Sequence, residues 1–204
     1  MNTTNTEKKA PFSTQDHAQY IIDNCIVIDT ETTGLDENDV AIELAAIDAK
    51  TGQSLINTLI KCDWGEIPKE AYNVHGIGIK ELRNAPSQPA VIGMLTQAAY
   101  NQNKHLTAFN MHFDCRILQQ TTDEPSVKKL ISNIFGAHLC VMELANRHFA
   151  KGHAKWKPET AQFGRLSLAK CCEIAGIEFK GKAHRAMADA LATVDLLHYI
   201  ANDR

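Results

Sequence analysis

One ten-residue run constrains this chain most: Cys25-Ile26-Val27-Ile28-Asp29-Thr30-Glu31-Thr32-Thr33-Gly34, an apolar stretch that stops abruptly at two acids. Residues 25–28 are all apolar and three of them are Ile or Val, the composition of a strand buried on both faces. Strand side chains alternate between faces, so Asp29 and Glu31, two positions apart, project the same way. Carboxylates that close repel each other unless a cation sits between them. A hard divalent metal such as Mg²⁺ or Mn²⁺, which prefers oxygen ligands, meets that demand. Taken alone, the run also admits a plainer reading, in which Asp29 ends a strand and Thr32-Thr33-Gly34 turns the chain.

The remainder of the sequence limits what can surround that run. At 204 residues it suits one domain, large enough to bury about 70% of its unfolded surface. The six cysteines show neither a C-x-x-C pair nor a zinc-like alternation with histidine, and they read as core thiols of a reducing compartment. Met1 to Ser13 is polar, and no apolar run approaches the roughly 18 residues of a membrane span, so the expected location is cytoplasmic with no membrane partner. A formal charge of −3 argues against a broad electrostatic grip on duplex nucleic acid and leaves room for a small, metal-anchored footprint. The charge is uneven, however: from Arg147 to Arg185, nine cations face three glutamates, a local +6.

Periodicity predicts a disordered tail over residues 1–13 and a single α/β domain over 14–204. Ser13 or Thr14 caps a helix running to Asn24, with His17, Tyr20 and Ile21 on one face. Val40–Ile47 and Ser54–Lys61 read as strands joined by the Lys50-Thr51-Gly52 turn, an antiparallel hairpin beside the first strand. Brief helical turns follow Ile67 and Gly78. A longer helix is expected after Pro89, from Ala90 to Asn101, with Val91, Met94, Leu95 and Ala98 at helical spacing. Leu106–Phe109 reads as a fourth strand, Asn110 to Gln120 and Val127 to Phe135 as helices, and His138–Val141 as a fifth strand. Helices over Glu143–Ala150, Leu166–Ala175 and Arg185–Ala201 complete a mixed five-stranded sheet flanked by helices. Lys151–Gly164, which contains Trp156 and Phe163, reads as a loop.

Two metals about 4 Å apart need more oxygen ligands than Asp29 and Glu31 supply. Asp114 opens a helix directly after a strand, where the sheet edge can aim it at the same place. Acids also gather at helix N-termini simply to suit the dipole. Asp189 lies in an Ala- and Leu-rich helix, five residues after His184. Positions five apart on one helix differ by about 140° in direction. Both therefore reach one site only if His184 stands on the loop before the helix, which Gly181-Lys182-Ala183 permits. A histidine titrating near neutrality suits the removal of a proton from water.

In that order and context, Asp29-x-Glu31, Asp114 and His184-x4-Asp189 resemble the DEDDh branch of the DnaQ-like 3′-to-5′ exonucleases, over about residues 24–201. Asp-Thr-Glu-Thr-Thr-Gly-Leu, Asn-x-x-Phe-Asp and His-x-Ala-x-x-Asp-Ala are separate matching motifs, and His75-Gly76-Ile77 is a weaker fourth. The five-residue spacing favours this branch over its sister, which has a tyrosine four residues before the aspartate. The resemblance implies a ribonuclease-H-like fold in which Asp29, Glu31, Asp114 and Asp189 bind two Mg²⁺ or Mn²⁺ ions and His184 is the general base. It also implies that Thr32, Gly34 and Leu35 meet the terminal nucleotide, the backbone at Gly34 approaching the sugar and Leu35 wedging against a base, while Asn110 supports the site. Where such proteins often carry histidine or tyrosine before the asparagine, this chain has Phe109, which can stack on a base but cannot donate the same hydrogen bond. Trp156, among cations, is a further candidate to stack an unpaired base, or else the centre of a small satellite core.

The expected partner is the 3′ end of single-stranded or frayed nucleic acid, with DNA favoured. An RNA-trimming enzyme of the same fold and a proofreading-type subunit that docks on a DNA polymerase are the alternatives. The sequence leaves the oligomeric state open between monomer and homodimer.

Overall fold

The computed structural model describes residues 12–136, 139–149, 165–181 and 183–203. Ser13 caps the first helix, α1 (Thr14–Asn24), accepting from the Asp16 amide, and the chain passes straight into β1 (Cys25–Thr32). Ala18, Ile21 and Ile22 form the buried face of α1, and Tyr20, expected on that face, is 48% exposed. The stretch expected to be disordered lies outside the described residues as far as Pro11.

The antiparallel hairpin forms as expected from β2 (Ala41–Asp48) and β3 (Ser54–Leu59). Short helices α2 (Lys69–His75) and α3 (Ile79–Leu82) follow. Gly76 closes α2 at φ 75°, a left-handed turn that suits glycine. The longer helix α4 (Gln88–Gln102) has Pro89 in its first turn, where a missing N–H costs nothing. It buries Val91, Ile92, Leu95 and Ala99, leaving Met94 45% exposed, so its apolar face is rotated from the one the spacing suggested. β4 (His105–Ala108) leads into α5 (Met111–Gln120), followed by α6 (Pro125–Ile134), α7 (Val141–Phe149), α8 (Leu168–Ala175) and α9 (Ala186–Asn202).

Among the described residues the sheet has four strands in the order β3-β2-β1-β4, antiparallel except for β1 beside β4. The expected fifth strand does not form. Phe135 makes one isolated bridge to Leu106, Thr107 donates its hydroxyl to the Leu139 carbonyl, and the helix α7 already begins at Val141. The segment therefore runs past β4 but bonds through a side chain instead of a backbone ladder; residues 137 and 138 lie outside the described set.

Every residue of β2 is buried, as are seven of the eight in β1, so both faces of the central strands are covered. Helix α9 packs on β1 and β2 with α1 and α8 against it, while α5 packs on β1 and β4. Ile26, Ile28 and Leu44 are fully excluded from water, each contributing roughly 1.5–3 kcal/mol. His148 ties α7 to the first residue of α1 and the C-cap of α9, its Nδ1 3.0 Å from Thr14 Oγ1 and its Nε2 2.8 Å from Asp203 Oδ2. All six cysteines are free thiols, five buried and Cys115 half-buried. Among the described residues, no helix is long and apolar enough to cross a membrane.

Candidate active site

Strand β1 ends beside its parallel partner β4, near the N-termini of α5 and α9, so β1 supplies Asp29 and Glu31, α5 supplies Asp114 and α9 supplies Asp189. Asp29, Glu31 and Asp189 each offer a carboxylate oxygen, and the three atoms lie within 4.8 Å of one another. Asp114, in the first turn of α5, is buried and accepts 2.8 Å from Thr30 Oγ1, the residue between the two strand acids. His184 stands on the bend before α9, at φ 60°, a left-handed conformation uncommon outside glycine. It is exposed, its backbone N–H is directed at the Asp189 carboxylate, and its side chain is close enough to lower the Asp189 pKa.

The electrostatics match the crowding. Burial, and after it the charges of Asp114, Asp189 and Glu31, raises Asp29 well above the usual carboxylate range. Burial with the neighbouring Asp189 and Glu43 pushes Glu31 up to about 8, with Arg185 acting in the opposite direction. Asp114 is raised to about 7 by burial, against the lowering effect of its bond from Thr30. Burial raises Asp189 as well. The Oδ1 of Asp189 is buried and has no hydrogen-bond partner among the described residues. An orphaned buried carboxylate oxygen beside two other carboxylates is an oxygen donor set that suits a hard divalent cation.

The sequence reading missed a fifth acid. Glu43 on β2 lies directly opposite Glu31 in the register and is 3% exposed. Like charges facing each other across a ladder repel. Here Glu43 is occupied elsewhere: Arg185 donates to it from Nε (3.1 Å to each oxygen) and from one terminal nitrogen (2.6 Å), and the Ala186 amide donates at 3.0 Å. The ion pair fastens the start of α9 to β2, beside His184. The available signal was an acid inside an otherwise apolar strand, because such a group must have a partner.

The residues expected to meet a nucleotide are partly assembled. Thr32 donates 2.6 Å to the Gly34 carbonyl, and Leu35 beyond it is 76% exposed. A Cβ on Gly34 would stand 2.5 Å from Asp39 Oδ2, so glycine is required for that close approach. Asn110 precedes α5, and its carbonyl accepts from the Phe113 and Asp114 amides. Phe109, considered for base stacking, belongs to the core at 9% exposure, and its carbonyl accepts from Met142 N. His75 is buried and accepts from the Ile77 amide at 2.9 Å, so this motif shapes a turn beneath the small core of Ile42, Cys62, Ile67, Ile77 and Leu82. Trp156 and the Lys151–Gly164 loop lie outside the described residues.

Residues 26–197 match the family model RNase T, described as an exonuclease. The chain belongs to this exonuclease family. It is 29% identical to the uncharacterized exonuclease CP81 of Escherichia phage 186 over 191 residues, covering 90% of this chain and 91% of the phage protein. It is also 27% identical to ribonuclease T of Histophilus somni, over 87% of this chain and 83% of that one. Among solved structures, exonuclease X in complex with 5′ overhanging duplex DNA superposes with a TM-score of 0.61 at 24% identity, over 87% of this chain and 91% of that one. E. coli exonuclease I in complex with a dT13 oligonucleotide gives a TM-score of 0.63 at 18% identity, over 89% of this chain and 41% of that one.

Proposed function

We propose that this protein is a metal-dependent 3′-to-5′ exonuclease that releases nucleoside monophosphates from single-stranded or frayed 3′ ends, DNA in preference to RNA. The observation that carries this reading is the convergence of Asp29, Glu31 and Asp189 within 4.8 Å, in a chain of the exonuclease family. Asp114 and the exposed His184 adjoin them. The four acids hold two Mg²⁺ or Mn²⁺ ions, and Glu43 is withheld from that set by Arg185. Metal bound there supplies Lewis-acid activation of water and offsets charge at the scissile phosphate. His184 takes the proton of the attacking water. The water oxygen bonds to phosphorus and the bond from phosphorus to O3′ breaks; the terminal nucleotide is released as a 5′-monophosphate and the O3′ of the shortened strand takes a proton from solvent to become a 3′-hydroxyl. Leu35, Thr32 and the Gly34 backbone seat the terminal nucleotide.

A second reading, hydrolysis of RNA, draws on the 27% identity to ribonuclease T. Discrimination between the two rests on contacts to the 2′-hydroxyl. The test uses 5′-end-labelled single strands of DNA and RNA of matched sequence, incubated with Mg²⁺ or with EDTA. A ladder shortening from the 3′ end with Mg²⁺ only, faster on DNA, is the expected result. Wild-type-like hydrolysis by Asp29→Ala would refute the assignment, and a faster RNA ladder would replace DNA with RNA as the substrate.

A further inference from the structure

The loop between β1 and β2 is fastened to α5 by contacts that the hydrolytic chemistry does not use. Arg116 donates from one terminal nitrogen to the Leu35 carbonyl (3.1 Å) and from the other to the Asp36 carbonyl (3.2 Å) and Gln120 Oε1 (2.6 Å). Gln120 Nε2 in turn donates to the carbonyls of Asp36 (3.0 Å) and Asp39 (2.8 Å). The Arg116 guanidinium lies 5.2 Å from the centre of the Phe113 ring, which restricts its rotation. Within the loop, Asp39 accepts from Thr33 Oγ1 at 2.6 Å and from the Asp36 amide at 2.7 Å. An exposed leucine needs no special explanation. Here, however, the backbone carrying Leu35 is gripped by two side chains of the helix that also carries Asp114, while the 76%-exposed leucine side chain stays outside the grip.

We propose that Arg116 and Gln120 are positioning residues for the terminal nucleotide: they hold the Leu35 loop in its binding shape before substrate arrives. A 3′ end then associates without the cost of ordering the loop. Because α5 supplies both the clamp and Asp114, the base-facing leucine and the acid cluster are referenced to one rigid element. This inference rests on the exonuclease reading and adds to it the residues that set affinity for the strand end.

The test is steady-state kinetics on a labelled single strand, with thermal melting to establish that each variant is folded. Arg116→Ala is expected to raise KM on the order of tenfold with a much smaller change in kcat. Arg116→Lys keeps one donor but loses the fork and should give an intermediate KM. Gln120→Glu turns a donor into an acceptor facing two carbonyls, and its KM should also rise. If the clamp acts through Leu35, Arg116→Ala adds little to Leu35→Ala in the double variant, a coupling that a double-mutant cycle measures. Multiplying effects, or wild-type KM in both Arg116→Lys and Gln120→Glu, overturn the clamp. Should Arg116→Ala fail to fold, those two variants decide. A wild-type protein without hydrolysis overturns the exonuclease reading and the clamp with it, whereas an active protein with multiplying effects overturns the clamp alone.

Discussion

Asp29 shows what a cluster of buried carboxylates costs a protein. Its pKa and those of Glu31, Asp114 and Asp189 are all raised, Glu31 to about 8 and Asp114 to about 7. An unfolded carboxyl titrates near 4, so between that value and about 8 the folded, metal-free protein binds more protons than the unfolded chain. Stability contributed by these groups is present at low pH and is lost as pH rises through the folded values. Melting temperature without metal should therefore fall from pH 5 to pH 8, and Mn²⁺ should restore more stability at pH 8, where fewer protons compete for the carboxylates. Asp29→Asn removes one raised acid. Differential scanning fluorimetry should show a metal-free variant more stable than wild type at pH 8, by about 2–4 °C for each kcal/mol relieved, and largely insensitive to Mn²⁺. A variant less stable than wild type at that pH would argue against crowding. His184 makes a separate prediction. Its exposed ring is not needed for packing, so His184→Ala should melt like wild type while kcat falls at least about 100-fold.

Helix α9 carries Asp189 and adjoins His184, so the geometry of the site depends on how its first turn is held. Arg185 and the Ala186 amide both bond Glu43, which ties that turn to β2 across 142–143 positions of sequence. Removing Glu43 leaves a backbone amide unsatisfied and Arg185 unpaired. Because the Arg185 side chain is 39% exposed and can rehydrate, Glu43→Ala should cost about 1–3 kcal/mol in urea unfolding, less than a fully buried pair. The same variant should lower kcat, with Glu43→Gln, which can still accept from the amide, falling less. The difference between what the sequence revealed and what it concealed lies in this range of contact. Asp29 and Glu31 were legible from strand alternation, and His184 and Asp189 from the helical angle that forces His184 onto the preceding loop, since both are local rules. Glu43, Thr30, Arg116 and Gln120 gain their roles from partners far along the chain, and no periodicity reports those. The fifth strand failed for a related reason: Leu139 and Cys140 have strand-like composition, but the ladder depends on a partner edge, and Thr107 bonds the Leu139 carbonyl by its hydroxyl instead. Tyr20, expected on the buried face of α1, is 48% exposed, and Phe109, considered for base stacking, lies in the core.

For the molecule as a whole, one apolar cluster runs from Ala18 on α1 to Ile200 on α9, and residues 14–204 are proposed as a single folding unit. Calorimetry should then show one cooperative transition with matching calorimetric and van't Hoff enthalpies. Charge sets the other global property. With a net −3, the protein as a whole repels a phosphate backbone, so under the proposed exonuclease reading affinity for a strand end would come from the carboxylate-bound metal, a few stacking contacts and local cations. Cations gather locally in the +6 stretch from Arg147 to Arg185. Each phosphate neutralised on a single strand contributes about −0.7 to the slope of log affinity against log salt. A footprint of a few contacts predicts a slope for 1/KM no steeper than about −3 between roughly 50 and 200 mM KCl at constant Mg²⁺. If Lys151, Lys155 and Lys157 supply those contacts, replacing all three by alanine should flatten the slope by about 2 and leave kcat near wild type. An unchanged slope in that variant would assign the grip on the strand to the metal site and the Leu35 loop, and would leave the basic stretch without a role in binding.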